Sequence, residues 1–80
     1  MIEVRTAYWS PVEECVVFSS IWEPSYGRTT TRSIARFSGE DALDNALALA
    51  ERTASQRPHL DEVFVVMNVR GPHPVDAEAR

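Results

Sequence analysis

Glu62-Val63-Phe64-Val65-Val66-Met67-Asn68-Val69 is a nearly unbroken apolar run of strand length. Successive side chains of a strand point to opposite sides of a sheet, so a run without alternation reads as a strand covered on both faces. One other segment has helical period, and one helix covers one face. The run therefore demands a sheet, a helix against one side of it, and some other cover for the second side.

The helical period lies just upstream. Leu43, Ala46, Leu47, Ala50 and Ala54 recur at three- and four-residue spacing, while Asp44, Glu51, Arg52 and Ser55 lie off that stripe. Ser38-Gly39-Glu40-Asp41 reads as the helix start, with Ser38 as cap, Asp41 three residues on and Phe37 stapled onto Ala42. The helix ends near Gln56, because Pro58 prevents its return. Alanines at 46, 50 and 54 let it lie close to the sheet but add little bulk, so the sheet supplies the core volume.

Three further strands precede the helix. Ile2, Val4 and Thr6 alternate with Glu3, Arg5 and Ala7, which predicts a strand over about 2–8 with one buried and one wet face. Cys15 to Trp22 is β-branched and aromatic enough for a second. Glu23-Pro24-Ser25-Tyr26-Gly27 has Pro and Gly where a turn needs them, and a third strand follows from Arg28 to Phe37. Alternation puts Thr29, Thr31, Ser33, Ala35 and Phe37 inward and Arg28, Arg32 and Arg36 together outward. The predicted fold is α+β, in the order β-β-β-α-β: a four-stranded, mainly antiparallel sheet with one helix packed on one face. A meander of the first three strands and a return beside the first give the spatial order 3-2-1-4. Residues 1–70 form the single domain, and the tail 71–80, with His73 between two prolines, is read as mobile.

Composition narrows the function. The chain has 80 residues and a formal charge of -4, and all eight basic residues are Arg. Net acidity argues against a generalist nucleic-acid binder, which gains affinity by neutralising phosphates. A lone Cys15 forms no internal disulfide and fits a reducing, cytoplasmic setting, and no stretch approaches a membrane span. Cys15, His59, Asp61 and Glu62 are the nearest approach to a catalytic set, but Cys15 begins an apolar strand and reads as a small hydrophobe. No cofactor or metal site is predicted, and the chain reads as a non-enzymatic binding protein.

The residues suited to binding are of two kinds. Trp9, Trp22 and Tyr26 fall at strand ends or turns, where aromatics anchor protein interfaces, and Arg28, Arg32 and Arg36 suit anionic groups. Cross-strand pairing with Glu3, Glu13 or Glu14 is the alternative use of the arginines. Glu40, Asp41 and Asp44 make the helix acidic at its start. The surplus apolar strand surface predicts a homodimer or a docking face, or else a sheet shielded by Trp, Tyr and Arg stems.

In its short acidic length, its β-β-β-α-β order from Ile2 to Val69 and its Ala-rich helix, the chain resembles small phage-encoded anti-CRISPR proteins. That resemblance implies a stoichiometric inhibitor that docks on an RNA-guided effector complex and blocks target-DNA recognition, with Glu40, Asp41 and Asp44 meeting basic channel residues. The alternative is a small nucleic-acid-binding domain that uses an arginine and aromatic sheet face.

Overall fold

A computed structural model describes residues 1–8, 10 and 12–70. Trp9, Pro11 and the tail 71–80 lie outside the described residues, so the readings of Trp9 as an anchor and of the tail as mobile are not addressed by it. The elements are β1 (Glu3–Tyr8), β2 (Glu14–Glu23), β3 (Arg28–Phe37), α1 (Ala42–Gln56) and β4 (Glu62–Val69). The α+β architecture is as the sequence predicts: one four-stranded sheet with one helix against it.

The strand order differs from the predicted one. It runs β1-β4-β2-β3, with β4 between β1 and β2 rather than outside β1. β4 is antiparallel to β2 and parallel to β1, so the sheet is mixed. The physical reason is burial. A central position pairs both edges of a strand and flanks its side chains with neighbours on either face, and Val63-Phe64-Val65 is the segment that needs it, with all three residues buried. β1 carries Glu3 and Arg5, which an edge tolerates.

Cys15 and Val17 of β2, Val63 and Val65 of β4, and Ala42, Ala46 and Ala50 of α1 form the core cluster, with Phe37, Leu43, Leu47 and Met67 packed against it. Ala46, Ala50, Val17 and Val65 are each fully buried. Alanine on the helix and β-branched residues on the sheet bring the two layers close. The helix begins later than predicted: its cap is Asp41, with no side-chain capping bond, and Ser38 lies before the turn. Gly39, at φ +93, makes that turn, and its carbonyl accepts from the Ala42 N–H. The C-terminus falls at Gln56 as predicted, and the Arg57 N–H donates to the Thr53 carbonyl.

β3 does not alternate throughout. Val17 pairs with Ala35 but Phe18 pairs with Ser33, so Ile34 is an extra residue and the ladder bulges there. Beyond the bulge the faces exchange. Arg36, opposite Val16, lies on the face away from the helix, whereas Arg28 and Arg32, opposite Glu23 and Ser19, lie on the helix side. The predicted stripe of Arg28, Arg32 and Arg36 on one face therefore does not exist. Thr29, Thr31 and Ser33 likewise lie opposite the helix rather than inward with Ala35 and Phe37.

Candidate functional site

The open face of the sheet explains where the surplus apolar surface goes. Val16 and Phe64 lie on it and are buried nonetheless, at 1% and 6% exposure. The Phe18 and Phe64 rings stack at 5.4 Å, and the Arg5 guanidinium lies 3.8 Å from the Phe64 ring centre. Arg5 is held there by Glu3 at 2.9 Å and Glu62 at 2.7 Å. At the far end of the apolar strip Arg36 bonds Glu14 at 2.6 Å, and Asn68 donates to the same carboxylate. Two polar brackets thus cross the strands on either side of the apolar centre. Over Val16 and Phe64 the cover comes from arginine stems and cross-strand pairs, the shielding that the sequence offers as the alternative to a docking face.

These pairs also set the local acid-base behaviour. The hydrogen bond from Arg5 holds the Glu3 carboxyl below its ordinary range, and Glu3 in turn raises Arg5. Burial, followed by the charge of Glu14, pushes the Cys15 thiol up.

The β2–β3 hairpin carries the exposed aromatics. The Tyr26 and Gly27 N–H groups both donate to the Glu23 carbonyl, at 3.1 and 2.8 Å, and Gly27 takes φ +65 to close the turn. Trp22 is 51% exposed and Tyr26 69% exposed. The Arg28 guanidinium lies 5.4 Å from the Tyr26 ring centre. Three of the predicted binding residues, Trp22, Tyr26 and Arg28, therefore lie at one hairpin end, with Arg28 against the Tyr26 ring and Trp22, opposite Thr29, on the other face of the strands. Sequence reasoning missed the residue that steadies it. β2 outruns β4, and Asp61, just before β4, accepts from the Trp22 N–H while its own N–H donates to Ser20. A carboxylate at a strand entry gives no sequence signal for that role.

Two clefts flank α1. At its N-terminal end a cleft of about 540 Å³ has Glu13, Glu14 and Glu40 at its walls and Cys15, Leu43 and Met67 among its apolar lining. Glu40 joins this acidic end, with Asp41 and Asp44 exposed beside it. At the C-terminal end a smaller cleft of about 260 Å³ brings Arg32, Arg57 and His59 together with Thr30, Ser19 and Glu23. Cys15 and His59 thus line different clefts, and the structure does not assemble them into one site. Among the described residues no group of three or more His, Cys, Asp or Glu side chains could hold a metal ion, and no helix is long and apolar enough to cross a membrane.

The site residues of β3 are thus divided among the hairpin tip, the basic cleft and the open face, while the acidic trio stays together at the start of α1. No protein family, curated protein or solved structure matches the chain.

Proposed function

We propose that this chain is a non-enzymatic binding module that docks on a protein partner through the tip of the β2–β3 hairpin. The observation that supports it is the joint exposure of Trp22 and Tyr26 at 51% and 69%, with Arg28 against the Tyr26 ring. Trp, Tyr and Arg are the residue types that dominate binding energy in protein interfaces. The turn hydrogen bonds and the Asp61 clamp hold the tip in shape before a partner arrives, which lowers the ordering cost of binding.

The resemblance in size and layout to anti-CRISPR proteins supplies the first partner to try, an RNA-guided effector complex in the cytoplasm. Glu40, Asp41 and Asp44, exposed at the start of α1, would be the second contact, against basic channel residues. The test is titration of the purified protein into effector complexes while target-DNA binding is followed by mobility shift. Stoichiometric loss of DNA binding that disappears in Trp22→Ala and Tyr26→Ala supports the reading. Unchanged DNA binding with every effector, together with no host protein whose capture depends on Trp22, overturns it. Direct, steeply salt-dependent binding of single-stranded DNA by the free protein would support the arginine and aromatic alternative.

A further inference from the structure

The basic cleft holds cations that nothing in the fold uses. Arg5 and Arg36 are ion-paired and Arg28 lies against Tyr26, whereas Arg32, Arg57 and His59 have no ion pair, hydrogen bond or ring contact from their side chains among the described residues. All three line the same cleft, beside the hydroxyl-bearing Thr30 and Ser19. Two guanidiniums against the one carboxylate of Glu23 leave a single positive charge, His59 apart. That balance suits a carboxylate better than a doubly charged phosphate. A guanidinium matches a carboxylate fork to fork.

The wall that carries Thr30 and Arg32 is β3, and β3 is a sheet edge. Among the described residues it pairs with β2 on one side and with no strand on the other. The backbone groups of alternate residues on its free side lack ladder partners, which is the template for strand addition. From Arg28 to Ser33 the ladder is regular; the bulge at Ile34 ends it.

We propose that β3 takes an extended, acidic segment of a partner protein as a fifth strand, over Arg28 to Ser33, with its carboxylates reaching Arg32 and Arg57 in the cleft. An added strand places every second side chain on the cleft side, opposite Thr30 and Arg32. A second copy of this chain is the poorer occupant. β3 has arginines at 28, 32 and 36 and no acidic residue, so antiparallel pairing of two β3 strands crowds like charges. This proposal rests on the protein-binding reading and adds the chemistry of the partner segment.

The experiment is an amide NMR titration of the whole protein with a peptide of alternating Thr and Glu, beside the same peptide with Lys for Glu, and inorganic phosphate, each to millimolar concentration. Shift changes confined to Arg28–Ser33, Arg57 and His59 with the Glu peptide are expected, with affinity about tenfold weaker in Arg32→Ala and Arg57→Ala. The proposal is overturned by no change at β3, by equal changes with the Lys peptide, by phosphate alone occupying the cleft, or by β3 shifts that follow protein concentration without peptide. Trp22→Ala separates the two readings. Peptide binding retained while partner capture is lost leaves the edge proposal standing with the tip; peptide binding absent while capture depends on Trp22 removes the edge alone.

Discussion

The two faces of the sheet are both dry at their centres, but by different means. On the helix side Val17 and Val65 meet alanines, each wholly excluded from water, in a contact of apolar surfaces only. On the open side Val16 and Phe64 reach nearly the same burial, with Arg5 over the Phe64 ring and between pairs made by Arg5 and Arg36 whose side chains, Glu14 excepted, keep two fifths or more of their surface in water. The first kind of cover draws on dispersion and the hydrophobic effect and is unaffected by salt or acid; the second depends on charges that water and salt screen. A domain of this length has a stability of roughly 4–12 kcal/mol, so the difference is measurable in single variants.

The largest break in the comparison comes from filling the helix contact. Ala50→Leu inserts a branched side chain where none fits, and a loss of about 3 kcal/mol in urea unfolding is expected. Val65→Ala, which opens a void at the same contact, is expected to cost about 2 kcal/mol. On the open face Arg5→Ala removes both the ring cover and two ion pairs; a smaller loss than for Val65→Ala is expected, with increased binding of an apolar dye over Phe64. An equal loss for Arg5→Ala and Val65→Ala would show that the two covers are energetically alike.

Acid sharpens the contrast further. The folded state holds the Glu3 carboxyl below the ordinary value of 4.5, so its pairing supports the fold above that pH and is lost as pH falls below it. Thermal melts of wild type should therefore drop slightly between neutral and acid conditions, and those of Glu3→Gln should drop less. The smallest effect is chemical. Cys15, buried with a raised pKa, should resist alkylation at pH 8 until the protein is unfolded, with modification followed by mass.

The elements themselves were legible from different signals: alternation in β1, three- and four-residue spacing in α1, turn chemistry before β3, and β-branched or unbroken apolar runs in β2 and β4. β3 and β4 fall where Arg28 to Phe37 and Glu62 to Val69 were read, and α1 ends at Gln56. The order of strands was not legible, since a meander and an inserted β4 satisfy the same local patterns; only the competition for the central position decides between them. Ile34 gave no sign of a bulge, having neither the Gly nor the polar character that marks one. That single residue undid the arginine stripe. The hairpin aromatics were found from the turn chemistry, whereas Arg57 and His59, in a loop without period, reach the basic cleft only through the fold.

The insertion of β4 also orders events in time. Among the described residues β1 pairs with β4 alone, Glu3 lying opposite Phe64, so β1, made before the other three strands, has no place in this sheet until β4 has been made. A nascent chain ending at Asp61 can close the β2–β3 hairpin and form α1, but it must hold Ile2 and Val4 unhoused, and β2 keeps a bare edge where β4 belongs. Loop closure across nearly the whole chain is then the late and slow step. Interruption just before Glu62 would release a species with two open strands, primed to pair with each other's copies rather than with themselves.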